Sequence, residues 1–420
     1  MFTALALGSG ELVFWPSIML PNGAGVLLVA LAAVLVQWVL NIEIGRYSLA
    51  TGESAALGMA RLGRTWATLL LLATTIPWLW PGWARVGGEL VRALTGLPEK
   101  PVSLISLVLA ALFLVLPRPE DVYRIVERVQ GVLLTFILGG VLVLMLLVSS
   151  GGAHSPKGFF QQLASGDGLM ALVAQVTSSS GAPLLALVSG TVFAGAGGIL
   201  NLGYGIVIRA RGWGMDREAL GREGARAEFR EWMNFIRREH ALLFVGGSCF
   251  TIVFVALIFY GLFGNRETLG GTLFLTEAIT ALGDRFTFLA SWLFVAVALA
   301  VFFTSEIGIL DFTSRTAAAV CREGLGIKTD SDTLVRSFVW SLVLGGSVLT
   351  IIDPRQPYWF LVTSAYLNTA AMALYGFMLL WLNRRLPEAA RPGALSSLGL
   401  GLIATLYGAL FVMVMTRSLG

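Results

Sequence analysis

The 420-residue chain is 56% hydrophobic and only 13% charged, with a net charge of +4. A soluble domain of this length would have about 25% charged residues, so a molecule that faces water on all sides is excluded. The small net charge gives no indication of a nucleic-acid partner. Because the apolar runs are long and do not alternate with polar residues, they predict an all-α protein embedded in a lipid bilayer.

Apolar segments of spanning length, roughly 20 residues each, recur along the whole sequence. We predict about eleven transmembrane helices in a single transmembrane domain, 1–420. The predicted spans lie at 2–20, 24–49, 66–94, 101–117, 128–149, 183–210, 241–263, 286–320, 335–352, 357–383 and 397–416. The segment 271–283 is predicted to form a short amphipathic helix at the surface.

The charged loops predict the orientation. If the N-terminus is cytoplasmic, most of the 29 lysines and arginines fall in internal loops, above all in the arginine-rich segment 209–238. Basic loops stay on the cytoplasmic side of a membrane. We therefore expect a multi-pass protein of the cell (inner) membrane with its N-terminus inside and its C-terminus outside. Acidic residues interleave with the arginines of 209–238, which favours a solvated helix over a nucleic-acid-binding arm.

The first predicted span begins unusually close to the start of the sequence. Met1 stands only seven residues before Gly8, and no lysine or arginine precedes Arg46, which argues against a signal peptide. We expect either that the natural chain begins earlier or that half of the first helix is missing.

Two glycine-rich stretches interrupt the apolar spans. Residues 8–11 (Gly-Ser-Gly-Glu) lie in the first span, and residues 194–198 (Ala-Gly-Ala-Gly-Gly) lie in the sixth. Each glycine costs a helix about 1 kcal/mol relative to alanine, so both helices are predicted to unwind there. Unwound backbone at membrane depth forms ion and substrate sites in transporters. The alternative is that the glycines only permit close helix packing.

The two stretches occupy matching positions five spans apart. This spacing predicts an inverted repeat in which residues 1–150 hold helices 1–5 and residues 183–383 hold helices 6–10. Residues 397–416 then form helix 11. The substrate or ion is expected to bind between the two interrupted helices.

Polar groups near the two stretches complete the predicted site. Glu11 is the leading candidate and a tentative metal ligand, and its alternative role is to pair with a buried arginine. Asn201 follows the second stretch by one turn, while Asn368 and Thr369 lie in mid-span and could instead make ordinary interhelical hydrogen bonds. The full predicted binding set is Gly8, Ser9, Gly10, Glu11, Ala194, Gly195, Gly197, Asn201, Asn368 and Thr369.

Charged residues deep in a membrane are costly and are therefore functional candidates. Glu43 and Arg46 are three residues apart and predict a structural or gating pair. Asp311 lies four residues before Arg315, on the same helix face, which indicates a structural ion pair. The predicted coupling or gating residues are Glu43, Arg46, Arg85, Glu306 and Asp311.

Glu306 has no charged residue at helical spacing. It is expected either to titrate as a coupling site or to pair with Arg85 across helices. The nearby tryptophans Trp78, Trp80 and Trp83 are interpreted as an interfacial belt, and a substrate-facing aromatic wall is the alternative.

Several motifs resemble the Nramp (natural resistance-associated macrophage protein) divalent-metal transporters, in a divergent prokaryotic form. They are Gly-Ser-Gly-Glu at 8–11, Asn-x-Glu-x-Gly-Arg-Tyr at 41–47, Phe-Ala-Gly-Ala-Gly-Gly at 193–198 and Asn-Arg-Arg-Leu at 383–386. By span count and order the resemblance covers nearly the whole chain. It implies the inverted-repeat fold of the leucine transporter and a metal site between helices 1 and 6.

The sequence departs from that family at the metal site itself. Gly8 and Glu11 stand where the family has aspartate and asparagine. Gly195 (or Ala194, if the register slips by one) and Gly197 stand where it has methionine and histidine. Without a soft thioether ligand, the resemblance implies a hard cation such as Mg²⁺ or an atypical Mn-type site. Arg85 occupies the third helix, where the family has acidic residues for protons.

These observations favour a secondary active transporter of a divalent cation that works by alternating access. The alternative is a transporter of a non-metal solute, such as an amino acid or small organic acid, whose carboxylate would suit the amides of Gly197 and Gly198. The absence of zinc, serine-base and phosphate-loop motifs predicts no enzyme and no cofactor. The expected partners are the lipid bilayer and a small substrate, without an obligate protein or a nucleic acid.

Overall fold

The computed structural model describes residues 9–117, 119–177, 181–215, 218–266 and 271–419, and all regular elements in these ranges are helical. Helices predominate because a chain in hydrocarbon must satisfy its backbone hydrogen bonds within each segment. In chain order they are α1 (Ser9–Asn22), α2 (Leu27–Thr51), α3 (Ala55–Ala60), α4 (Arg64–Thr75), α5 (Gly82–Thr95), α6 (Glu99–Val115), α7 (Pro119–Gly151), α8 (Pro156–Ser165), α9 (Leu169–Thr177), α10 (Gly181–Val192), α11 (Gly203–Ala210), α12 (Ala225–His240), α13 (Gly247–Phe263), α14 (Leu273–Arg285), α15 (Phe288–Glu323), α16 (Ser331–Ile352), α17 (Pro357–Arg384) and α18 (Ala394–Leu419).

Seven stretches of the described residues are long and apolar enough to cross a membrane unaided. They correspond to α2, α7, α12 with α13, α15, α16, α17 and α18. The other predicted spans coincide with shorter or interrupted helices, namely α1, α4 with α5, α6, and α10 with α11. The helix order is therefore consistent with the eleven predicted spans, and the chain is a multi-pass membrane protein.

Two predicted spans have different limits in the structure. The span at 66–94 is interrupted by a 3₁₀ turn, Ile76–Leu79, which contains Pro77 and is followed by Pro81. Proline lacks an N–H and clashes with the preceding turn, so α4 does not continue into α5. The span at 241–263 begins much earlier, because α12 runs into α13 through one π-helical turn, Ala241–Gly246.

Helix α15 lies at the centre of the bundle. The most apolar stretch of α15 is 78% buried inside the protein, whereas the corresponding stretches of the peripheral helices α16 and α18 are only 28% buried. Helix α15 packs against α7, α16, α5 and α4. The short helix α14 was predicted at 271–283, and its apolar face, including Phe274 and Leu275, packs on α15.

The contact between α7 and α15 provides a matched test of this packing. We expect Gly140→Ala to lower the free energy of unfolding by about 1–3 kcal/mol. Its β-carbon would collide with Cγ2 of Val297, a β-branched side chain with little freedom to move. The neighbouring Gly139→Ala meets no atom within 4 Å and should be neutral or stabilising by up to about 1 kcal/mol. Thermal unfolding in detergent measures both, and equal destabilisation would contradict the packing.

Candidate functional site

The sixth span is broken where the glycine cluster predicted it. Helix α10 ends at Val192, and a 3₁₀ turn, Gly198–Leu202, leads into α11. Between these elements Gly197 and Gly198 have φ values of +83° and +57°. Residues with a side chain rarely adopt such values, but glycine does so readily. The two glycines therefore allow the backbone to leave the helix here.

The N-terminal end of α1 lies directly against this break. A β-carbon on Gly10 would collide with the carbonyl group of Phe193, a backbone group that cannot move aside easily. The first turn of α1 is therefore in contact with the break in the sixth span, where the site was predicted. Ser9, Gly10 and Glu11 are helical rather than unwound, so the unwinding predicted at these three residues is wrong, and Gly8 lies outside the described residues. The first turn of α1 offers N–H groups, not free carbonyls.

Side chains from two neighbouring helices satisfy the broken ends of the sixth span. Gln37 of α2 donates from Nε2 to the carbonyl oxygens of Thr191 and Val192, at 2.9 Å each. On the other side of the break, Oδ1 of Asn368 in α17 accepts the N–H of Ile199 at 3.1 Å. The break is thus held from both sides by buried amide side chains.

Asn368 was in the predicted site, but Gln37 was not. Both are amides in the middle of apolar spans, so a search for every intramembrane polar residue would have found Gln37. Thr369, predicted beside Asn368, donates to the carbonyl of Ala365 in its own helix. The structure therefore assigns only one member of that pair to the break.

The remaining predicted residues of the break are also buried. Asn201 donates to the hydroxyl of Tyr375 at 3.2 Å, and that hydroxyl donates to the carbonyl of Gly198 at 3.0 Å. Ala194 is fully buried, and a β-carbon on Gly195 would fall 2.8 Å from Oε1 of Gln37. These contacts fix the backbone of the break against α2 and α17.

Glu11 lies on the side of α1 that faces α13. Its side chain is only 1% exposed, and one carboxylate oxygen accepts a 2.5 Å hydrogen bond from the hydroxyl of Thr251. No group of three or more His, Cys, Asp and Glu residues is arranged to hold a metal ion within the ranges described. A cation at Glu11 would therefore need hydroxyl or carbonyl oxygens as its other ligands.

Aromatic side chains surround the break. Phe193 stacks on Phe14 of α1 at a centroid distance of 5.8 Å and meets the ring edge of Trp83 at 5.3 Å. Trp78 contacts the same ring, Trp83 stacks on Phe302, and Phe14 contacts Tyr358. We call these six residues the aromatic cluster: Phe14, Trp78, Trp83, Phe193, Phe302 and Tyr358.

The interfacial-belt interpretation of the tryptophans is wrong for two of the three. Trp78 and Trp83 are only 6% and 3% exposed. The turn that holds Trp78 packs on α16 and α17, and α5, which holds Trp83, packs between α15 and α17 rather than along the lipid. Trp80 is half-buried. Position along a span does not reveal which face of a helix meets the protein.

The predicted Glu43–Arg46 ion pair is confirmed, with Nε and Oε2 2.9 Å apart. Asn383 of α17 donates to both the backbone and the carboxylate of Glu43, and Arg46 donates to the carbonyl of Ala390. This cluster ties the end of α2 to the end of α17 and the segment after it. A gating role for the pair stays a prediction.

The predicted Arg85–Glu306 pair is wrong. Arg85 instead pairs with Glu99 at 2.7 Å and stacks over Phe360, because α5 and α6 pack side by side. Glu306 is 4% exposed, and its carboxylate makes no hydrogen bond or ion pair with the rest of the chain as described. The predicted Asp311–Arg315 pair is present at 2.7 Å.

Comparison with known proteins gives a fold but no family. No family model matches the chain, and no curated protein matches it. Solved structures match over almost the entire chain, at 14% identity. A mutant manganese transporter of Eremococcus coleocola has a TM-score of 0.68, with 99% of this chain and 92% of that chain covered.

Two further structures with the same fold bind organic molecules. MhsT in complex with L-phenylalanine has a TM-score of 0.63, with 99% of this chain and 96% of that chain covered. Mhp1, a nucleobase-cation-symport-1 family transporter with bromovinylhydantoin bound, has a TM-score of 0.62, with 99% and 87% covered. The chain therefore has the leucine-transporter fold, which is shared by transporters of chemically unrelated substrates.

The contact between α1 and the break makes Gly10 a sensitive position. Gly10→Ala should lower the free energy of unfolding by about 1–3 kcal/mol, since backbone must shift to admit the methyl group. Gly399→Ala in α18, where a β-carbon meets nothing within 4 Å, is the control. Chemical denaturation of both purified variants measures the difference. An unchanged Gly10→Ala variant would show that the two helices are not in contact.

Proposed function

We propose that this protein is a secondary active transporter that works by alternating access, with the substrate bound at the break in the sixth span. The break itself is the main support. Its two half-helix ends are buried in the bundle and held by Gln37 and Asn368. Half-helix ends held at membrane depth are the usual site of substrate and ion binding in transporters. The cytoplasmic position of the N-terminus is part of the proposal.

The lining of the site favours an organic solute with an apolar part, such as an amino acid. The aromatic cluster gives the break a largely apolar wall, and pockets for small molecules combine such walls with a few placed polar groups. A bare divalent cation would meet few oxygen ligands on this side. The solute alternative is therefore preferred to the divalent cation that the Nramp resemblance implies.

One observation keeps a cation in the mechanism. Glu11 is a buried acidic residue beside the break, hydrogen-bonded to the hydroxyl of Thr251, and hard cations bind oxygen ligands such as carboxylates. We propose that a cation binds at Glu11 together with the solute and drives its uptake. Transport of a divalent cation alone is the second candidate, and Glu11 is its tentative ligand.

Substitution of the central aromatic ring tests the solute site. Phe193→Leu should weaken solute binding about three- to tenfold, because an aromatic contact contributes about 0.5–1.5 kcal/mol. The lipid-facing Phe136→Leu in α7 is the matched control and should bind as the wild type does. Calorimetric titration with a panel of amino acids measures both. If only Mg²⁺, Mn²⁺ or Ca²⁺ binds, and Phe193→Leu leaves that binding unchanged, the solute proposal is wrong.

Neutralising the buried carboxylate tests the cation site. Glu11→Gln should abolish cation binding and remove the cation dependence of solute uptake into liposomes, since the amide keeps the shape but not the charge. Glu228→Gln, at an exposed position of α12, is the control. Cation affinity that is the same in Glu11→Gln and in the wild type would exclude the role assigned to Glu11.

A further inference from the structure

A basic cavity of about 470 Å³ lies on the arginine-rich face of the molecule, away from the break. It is bounded by the end of α2, one face of α12 and the segment that follows α17. Its lining includes the arginines Arg46, Arg226, Arg230 and Arg237, with Phe229 and Met233 between them. Among the residues that the structure describes, no acidic one contributes to the lining.

The arrangement follows from the helical spacing of α12. Arg230, Met233 and Arg237 follow Arg226 by four, seven and eleven positions. All four residues therefore lie on one face of the helix. Phe229 and Met233 are buried and fix that face against the body of the protein. The arginines therefore lie together on the side of the helix that borders the cavity.

The positive charge of this face is not neutralised by the protein. Arg46 is paired with Glu43, but Arg226, Arg230 and Arg237 have no acidic group within ion-pair distance in the described part of the chain. Arginines four residues apart on a helix repel each other. Three arginines without an acidic partner around one cavity produce a positive potential that attracts anions.

We propose that this cavity binds a phosphate-bearing anion. The planar guanidinium group donates two parallel hydrogen bonds to a phosphate, and several arginines together neutralise its multiple charges. The phosphate could belong to the headgroup of an anionic phospholipid or to a soluble phosphate compound, since the guanidinium groups recognise the same atoms in both. This site is separate from the proposed transport site and does not depend on its substrate.

Occupancy of the cavity would also act on the bundle. Arg46 lines the cavity and belongs to the cluster that joins α2 to α17. The same two helices supply Gln37 and Asn368 to the break. An anion that draws α12 towards this cluster therefore favours the conformation described here.

The test uses the full chain and two phosphate probes. Binding of inorganic pyrophosphate is measured by calorimetry in neutral detergent. Binding of phosphatidylglycerol is measured as the rise in Tm in nanodiscs that contain it, relative to nanodiscs of phosphatidylcholine alone. The variant R226Q/R230Q removes two cavity arginines, and R222Q/R238Q removes two exposed arginines of the same segment that do not line the cavity.

We expect at least one probe to bind the wild type and the R222Q/R238Q control equally, and to bind R226Q/R230Q at least tenfold more weakly or with no rise in Tm. A response to phosphatidylglycerol alone identifies a lipid headgroup, and a response to pyrophosphate identifies a soluble phosphate. The proposal is overturned if neither probe binds the wild type, or if the control variant loses as much binding as R226Q/R230Q. Since all four arginines are exposed or at the surface, both variants should fold, which their Tm values without probe verify.

Discussion

The backbone N–H and C=O groups at the break in the sixth span must find hydrogen-bond partners without water. The rest of this structure depends on that constraint. Unpaired backbone groups at membrane depth cost several kcal/mol each, so α10 and α11 can separate only where neighbouring helices replace the lost hydrogen bonds. Gln37 does this for two carbonyl groups, and Asn368 does it for one N–H group. Helices α2 and α17 meet this requirement, and the aromatic cluster packs beside the break.

The site that results is chemically mixed. On one side the rings of Phe14, Phe193 and Trp83 form an apolar wall, and on the other Glu11 brings a charge to the end of α1. The two parts suit different ligands. Apolar rings do not bind a small ion strongly, and an apolar group has no need of a carboxylate. The proposed binding of a solute together with a cation would use both parts.

The sequence was sufficient for features that depend on neighbouring residues. The glycine cluster at 194–198 indicated the break, and the spacing of Asp311 and Arg315 indicated their ion pair. Contacts between distant helices were not predictable in this way. Arg85 pairs with Glu99 rather than Glu306, and Glu11 accepts a hydrogen bond from Thr251. These partners depend on how the helices rotate and pack. The hydrophobic periodicity of nearly uniform apolar spans does not reveal that rotation.

Helices α2 and α17 each make polar contacts at two separated levels. Helix α2 places Gln37 at the break and Glu43 in the ion-pair cluster, and α17 places Asn368 at the break and Asn383 in the cluster. One residue inserted between the two levels would rotate one contact by about 100° relative to the other. The length of these two segments is therefore more tightly constrained than their composition: their apolar residues can be exchanged, but an insertion or deletion would disconnect the break from the ion-pair cluster.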